Sequence, residues 1–270
     1  MIRQNLHTHT VFDDGKNTPA EMAQAALDAG LTSLGFSGHS TLPWENDWCL
    51  TPERVPEYLA TVEGVKRDFT GRLAVYSGLE WDAASEQDVH GFDYVIGSVH
   101  HVFAEGKPIS VDESPEITRA AIDRLFHGDA AALAEAYYAA VRALAEVPFV
   151  DIVGHFDLLT KFDEKHGLFD ETAPRYRDAA MGALEALVHA DKIFEVNTGA
   201  IARGWRTVPY PAAFFLRELN ARNARVLVSS DAHSAVGVAC AFPETEALLR
   251  EIGFRERWEL TDRGFAAVAL

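Results

Sequence analysis

The chain has 270 residues, 48% of them hydrophobic, 24% charged and 10% aromatic, values that exclude a disordered, collagen-like or coiled-coil chain. Lys and Arg number 24 against 41 Asp and Glu, for a formal charge of −17. Such a surface repels phosphate backbones and anionic lipids, so neither nucleic acid nor a membrane is an expected partner. A small phosphorylated substrate stays open, because a metal or a local Arg reverses the sign of a pocket.

Short apolar runs alternate with helical patterns along the chain. Ile2–Leu6 reads as a weak first strand, followed by Thr18 as a helix cap, Pro19 in the first turn and Gly30 as the stop. Leu31–Ser37 is the second strand, Pro52–Phe69 a helix, Leu73–Ser77 the third strand and Tyr94–Ser98 the fourth. Residues 103–149 hold two helical patterns with no strand between them, one carrying Tyr137, Val141 and Leu144 at i, i+4, i+7. We read that span as a helical insertion within a single domain of residues 1–270. Strands at Asp151–Gly154, Ile193–Asn197 and Arg225–Ser229 follow, with helical stripes Met181, Leu184, Val188 and Ala212, Phe215, Leu216, Leu219 between them. About seven strand–helix repeats predict an α/β barrel of parallel strands, with an open doubly wound sheet as the alternative. No GxGxxG or Walker loop follows the first strand. No apolar run reaches the ~18 residues of a membrane helix. Met1–His7 has no signal-peptide core, so the expected location is the cytoplasm. Cys49 and Cys240 form no CxxC pair and read as free thiols.

Every predicted strand ends in His, Asp or Glu. The first leads to His7, His9 and Asp14, the second to His39, the third to Glu80 and the fourth to His100. The fifth leads to His155, the sixth to Glu195 and Asn197, and the seventh to Asp231 and His233. In a barrel these ends converge on the C-terminal face. His7 and His9 stand at i, i+2, which turns both imidazoles to one side of an extended backbone. Imidazole with carboxylate is the ligand set of zinc, iron and manganese. His7, His9, Asp14, His39, Glu80, His100, His155, Asp231 and His233 exceed what one ion takes, and predict two or three divalent metals bridged by Glu80 or Asp231. His90, His127, His166 and His189 lie away from strand ends, and His101 is left out of the set. Trp44 and Trp48 lie in the loop Thr41–Cys49 that follows His39, as a substrate wall or lid.

Taken together, Leu6-His7-Thr8-His9-Thr10, Asp14-Gly15, Gly38-His39-Ser40, Gly78-Leu79-Glu80, Phe92–His100, Val153–Leu158, Glu195–Gly199 and Ser230-Asp231-Ala232-His233 resemble the PHP (polymerase and histidinol phosphatase) superfamily, and its histidinol-phosphate phosphatase branch in particular. The resemblance implies a distorted (βα)7 barrel with a trinuclear metal centre. It implies that His7, His9, Glu80 and Asp231 hold one ion, that Glu80 bridges to a second held by His100 and His155, and that Asp14, His39 and His233 hold a third. It implies metal-assisted phosphomonoester hydrolysis, with hydroxide drawn from water between close ions and His233, Asp231 and Glu80 at the reacting centre. The family often has Arg where this chain has Thr160-Lys161. Arg203, Arg206 or Lys161 would then grip the phosphate, with Glu195, Asn197 and Trp44 as further substrate contacts. The expected reaction is hydrolysis of histidinol phosphate, a step of histidine biosynthesis. Other phosphomonoesters, a phosphodiesterase or exonuclease, and C–N hydrolysis are the alternatives. The acidic charge weakens the exonuclease reading, and the lack of a strand-end Lys weakens C–N hydrolysis.

Overall fold

A computed structural model describes residues 1–270. In chain order the strands are β1 (Gln4–Asn5), β2 (Ser33–His39), β3 (Ala74–Asp82), β4 (Tyr94–Ser98), β5 (His101–Ala104), β6 (Lys107–Ser110), β7 (Ile152–Val153), β8 (Ile193–Asn197), β9 (Val226–Ser229), β10 (Glu256–Thr261) and β11 (Gly264–Ala269). The helices are α1 (Pro19–Asp28), α2 (Val55–Asp68), α3 (Pro115–Leu125), α4 (Ala130–Ala143), α5 (Asp163–His166), α6 (Pro174–His189), α7 (Gly199–Ala202), α8 (Ala213–Ala221) and α9 (Phe242–Ile252).

Seven strands pair in the order β1-β2-β3-β4-β7-β8-β9, and every pairing among them is parallel. The sheet closes on itself. Just beyond β1 and β9, Thr8 bridges Ala232 in parallel, with His9 N–H donating to Ala232 O at 2.9 Å and Ala232 N–H to His7 O at 3.3 Å. The result is the expected seven-stranded barrel with helices outside. It follows from strands buried on both faces, which only a covered parallel sheet allows.

Local chemistry sets the helix ends. Thr18 Oγ1 accepts from Glu21 N–H at 3.3 Å while Glu21 Oε2 accepts from Thr18 N–H at 2.8 Å, a reciprocal cap for α1. Ser114 caps α3 and Asp129 caps α4 one way only, each side chain accepting from the backbone N–H three residues on.

The barrel interior is filled by Leu6, Tyr94, Ile96, Ile152, Ile193 and Leu227. Tyr94 needs room that its neighbours supply by having no side chain. A Cβ placed on Gly35 of β2 or Gly78 of β3 would overlap the Tyr94 ring. The Tyr94 hydroxyl donates to the Leu6 carbonyl across the barrel. We therefore expect Gly78→Ala to cost about 1–3 kcal/mol of unfolding free energy through overpacking. A urea melt with an unchanged midpoint would refute that account of the interior.

Two hairpins lie outside the expected repeats. The segment read as helical over 103–149 is preceded and entered by the β5–β6 hairpin. Its turn, Glu105-Gly106, has both residues at positive φ (52° and 74°), the geometry of a type I′ turn. The second hairpin, β10–β11, covers the opposite end of the barrel from the ligand-bearing loops. Gln4 Nε2 donates to Leu260 O at 2.9 Å and Leu260 N–H to Gln4 Oε1 at 2.7 Å, and Trp258 and Phe265 pack on the barrel interior.

Candidate metal centre

The ligands predicted from the strand ends meet at one end of the barrel. Register places Glu80 of β3 beside His39 of β2. His7 and His9 leave β1 with their rings 5.2 Å apart. Asp14 arrives on the tight turn Thr10–Gly15, where a Cβ on Gly15 would collide with the Thr10 and His9 backbone. Asp231 holds a left-handed φ of 49°, a costly conformation for a residue with a Cβ and one retained where function fixes the geometry.

Glu80 is the hub. Its Oε2 lies 3.1 Å from His7 Nε2, 3.5 Å from His9 Nε2 and 2.9 Å from His39 Nδ1. Its Oε1 lies 3.3 Å from His100 Nε2 and 2.8 Å from His155 Nε2, and accepts from Ser98 Oγ at 2.7 Å. Asp231 Oδ1 stands 3.2 Å from His9 Nε2 and 3.7 Å from His7 Nε2. Asp14 Oδ2 stands 3.2 Å from His233 Nε2, and its Oδ1 3.8 Å from His39 Nε2. Three groups have ligand atoms within 4.8 Å of one another: His9, Asp14, His39 and His233; His7, His9 and Glu80; His39, Glu80 and His100. His7 Nε2, His9 Nε2 and Glu80 Oε2 are buried without a hydrogen-bond partner. Burying three convergent polar atoms unpaired is costly. A divalent cation removes that cost, and N/O donors of this kind suit zinc, iron or manganese. The residues fit divalent metal.

A second set of carboxylates turns the imidazoles. Glu195 Oε1 lies 2.5 Å from His7 Nδ1, Asp13 Oδ2 lies 2.6 Å from His9 Nδ1, and Asp82 Oδ2 lies 2.9 Å from His100 Nδ1. A carboxylate on Nδ1 fixes that proton there and leaves the Nε2 lone pair for a metal. Asp13 and Asp82 escape the strand-end reading, although Asp82 follows Glu80 at i, i+2 and so shares its side of β3. Burial disfavours a charged His7, yet Glu195, Glu80 and Asp231 together raise its pKa well above the ordinary value. Burial opposes a charged His9 too, but Asp13, aided by Asp231 and Asp14, pushes its pKa up to about 10. Burial disfavours an ionised Glu80, yet the surrounding imidazoles, His7 first, hold its pKa well below the carboxylate range.

Glu195 is a supporting residue here, not a substrate contact. It is fully buried and accepts from His155 N–H at 2.7 Å, from Asn197 Nδ2 at 2.9 Å and from the Ser229 hydroxyl. In Glu195→Gln an NH2 must face one of these donors and the charge behind His7 disappears. We expect metal affinity to fall about 10–100-fold, measured by competition with a chelator; undiminished affinity would show that Glu195 does not support His7.

Of the remaining substrate-side residues, Trp44, Lys161 and Arg203 line a cavity of about 1090 Å3 above the metal ligands, together with His39, Glu80, His100, His155, Asp231 and His233. Arg203 Nη2 meets Asp231 Oδ2 at 2.9 Å and its Nη1 lies 3.0 Å from His233 Nδ1. Lys161 Nζ is held by Asp112, at 2.8 Å to its carbonyl and 3.0 Å to Oδ2. Arg206 is not in the cavity lining. It is buried, with Nη1 on Thr160 Oγ1 at 2.5 Å and 3.7 Å from Asp157 Oδ2, and its guanidinium lies over the Tyr210 ring. Asn197 also points inward, donating to Glu195 and accepting from Gly199 N–H at 2.8 Å. Asp112, Glu45, Asp47 and Glu113 line the cavity without having been singled out by sequence. His90, His127, His166 and His189 are exposed and belong to none of the ligand groups. Both cysteines are free.

Comparison with known proteins agrees with this architecture. The PHP domain family model matches residues 5–199. The "Probable histidinol-phosphatase" of Deinococcus radiodurans is 34% identical over 263 residues, covering 92% of this chain and 93% of that protein. The "Histidinol-phosphatase" of Bacillus subtilis is 25% identical, covering 90% of this chain and 97% of its own length. The crystal structure of histidinol phosphate phosphatase from Lactococcus lactis, complexed with zinc, L-histidinol and phosphate, superimposes with a TM-score of 0.74 at 18% identity and covers 98% of both chains. With seven parallel strands closed around one interior, and imidazoles and carboxylates gathered at their C-terminal ends, this chain belongs to the PHP domain family.

Proposed function

We propose that the protein is a metal-dependent phosphomonoesterase that hydrolyses L-histidinol phosphate to L-histidinol and inorganic phosphate, acting in the cytoplasm. The observation that carries this is the gathering of seven His, Asp and Glu side chains at metal-holding distances on one barrel rim, with His155 and Asp231 against them and buried orphan atoms at the centre. Support for the substrate comes from the relative at 34% identity over nearly the whole chain.

In this reading His7, His9, Glu80 and Asp231 hold one ion, Glu80 with His100 and His155 a second, and Asp14, His39 and His233 a third, with zinc, iron or manganese as the metal. Bound ions supply Lewis acidity at phosphoryl oxygens and a nucleophile from water at neutral pH. The protein supplies position. Arg203 offers a planar fork at the Asp231 side of the cavity, suited to a phosphate oxygen pair, and Lys161 adds a point charge. Asp231 and Glu80 keep the reacting centre fixed from two sides. His233 is the least buried imidazole of the set, with its side chain 22% exposed. Its Nδ1 lies 3.0 Å from Arg203 Nη1, which can only donate, so with Nδ1 accepting there the proton of the neutral ring stands on Nε2. A histidine whose Nε2 holds an ion carries no mobile proton there. His233 therefore protonates the leaving alkoxide only in the form without the third ion.

A second reading, a different small phosphomonoester, is favoured by one feature: Thr160 stands where the family often has Arg, and the guanidinium beside it, that of Arg206, is buried outside the cavity lining. Elemental analysis and phosphate release on one preparation decide between the two. Turnover of histidinol phosphate well above that of sugar phosphates is expected; the reverse order overturns the proposed substrate, and full activity after metal removal overturns the chemistry.

A further inference from the structure

The cavity above the metal ligands has two unlike sides. Arg203 and Lys16 stand with Asp231 and His233. The loop after β2 contributes Trp44, Glu45, Asp47 and Trp48, and the segment after β6 contributes Glu113. This second side adjoins the metal ligands. Trp48 meets the His39 ring at 4.8 Å and the His100 ring at 5.8 Å, both edge-on, and stacks on His101 at 6.0 Å. Trp44 meets His101 edge-on at 5.0 Å. The loop is tied down: Thr41 N–H donates to Gln87 Oε1 at 2.8 Å, Ser85 Oγ to Thr41 O at 2.6 Å, and Cys49 N–H to Asn46 Oδ1 at 3.0 Å. It is a wall rather than a free lid.

The acids on this wall differ from the acids below it. Asp112 is matched by Lys161 at 3.0 Å. Asp14, Glu80 and Asp231 face imidazoles or Arg203. Glu45, Asp47 and Glu113 have no basic partner within 4.0 Å, although all three border the cavity. Glu45 and Asp47 are chain neighbours of Trp44 and Trp48, and Glu113 lines the same cavity; unpaired carboxylates in a cavity that also presents indole rings are the chemistry that holds an organic cation, by charge and by cation–π attraction. A phosphomonoester that carries an amine would have each end matched, its phosphate toward the metal ligands and Arg203, its ammonium toward the wall.

The geometry points to Trp44, Glu45, Asp47 and Glu113 as the specificity-determining wall of the site, selecting phosphomonoesters whose far end is cationic. This rests on the phosphomonoesterase reading above and adds the residues that discriminate among its substrates.

The test uses metal-loaded full-length protein with three substrates: L-histidinol phosphate, phosphoethanolamine, and glycerol phosphate, which has no amine. Trp44→Ala and the triple variant Glu45→Gln/Asp47→Asn/Glu113→Gln should raise KM for both amine-bearing substrates about tenfold, with kcat changed less than about twofold. Glycerol phosphate turnover should not move, and Trp44→Phe should restore most of the loss. Inhibition by L-histidinol should weaken in parallel. An equal decline on all three substrates, or no change on any, overturns the wall. A wild type that ignores histidinol phosphate yet prefers phosphoethanolamine to glycerol phosphate, and loses that preference in the triple variant, removes the proposed substrate and supports the wall. A wild type with no preference for either amine overturns the wall whatever its activity.

Discussion

Glu80→Gln should lower phosphatase activity roughly a thousandfold while the barrel stays folded. The reason is the position of one carboxylate among five imidazoles. Oε2 faces His7, His9 and His39, and Oε1 faces His100 and His155. No other carboxylate lies within 4.0 Å of imidazoles from both halves of the cluster. Gln has the same shape, so Ser98 Oγ keeps an acceptor and the β3 backbone keeps its register. What changes is the charge and one lone-pair face. An amide oxygen is a weak bridge, and the amide NH2 turned toward either half repels a cation there. Elemental analysis should therefore show the loss of at least one ion per chain, in step with activity. His7→Ala should behave similarly for the ion proposed between His7 and His9, with a smaller change at the opposite half. Full metal content together with full turnover in Glu80→Gln would mean that the cluster is not the reacting centre.

The gathering of these side chains on one rim was legible in the sequence because residue type and strand-end position are both linear properties. His39, His100 and His155 each follow a strand, and parallel strands in a barrel bring such positions to one rim. Strands Tyr94–Ser98 and Ile193–Asn197 agree with the apolar runs that predict them. The third strand runs on from Ser77 to Asp82, because Gly78, Glu80 and Asp82 pair with β2 and β4 although they lack apolar side chains. A pattern reading stops where hydrophobicity stops, whereas a ladder stops where partners stop. The β5–β6 hairpin was missed for a related reason: its strands have four residues each, one contains Pro108, and only two of the eight side chains are buried. Side-chain direction was the least legible property. Arg206 and Arg203 lie three residues apart with the same chemistry, yet Asp157 and Thr160 draw Arg206 inward while Asp231 holds Arg203 at the cavity. Glu195 sits on the correct rim but faces the back of His7. Which face of an imidazole a carboxylate meets depends on packing across strands, and no spacing rule contains it.

Removing the metal should destabilise the protein far more at pH 9 than at pH 6. Without ions the cluster is held by protons. His9, raised by its carboxylates to about 10, stabilises the fold by binding a proton more tightly when folded than when unfolded. That contribution is fully present below its ordinary value of 6.5 and is lost as pH rises through about 10. His7 and His100 are raised in the same direction. Glu80 and Asp231 work oppositely: burial favours their neutral forms, but imidazoles and Arg203 hold both well below the ordinary range. Their contribution is present above the ordinary carboxylate values and is lost as pH falls below them. The metal-free cluster is thus most comfortable in mildly acidic solution and loses its internal neutralisation as pH rises. Metal binding runs the other way, because each imidazole must give up its proton to ligate, so affinity grows with pH. At an ion concentration a thousandfold above Kd, binding is worth about 4 kcal/mol. For a chain of this size that corresponds to roughly 10 °C in Tm. The expected result is a Tm loss on chelation of about that size at pH 9, shrinking toward zero near pH 6 as affinity declines, with proton release on metal rebinding seen by calorimetry in buffers of different ionisation enthalpy. A chelation loss that is equal at both pH values, or larger at pH 6, would mean that the imidazoles do not exchange protons for cations.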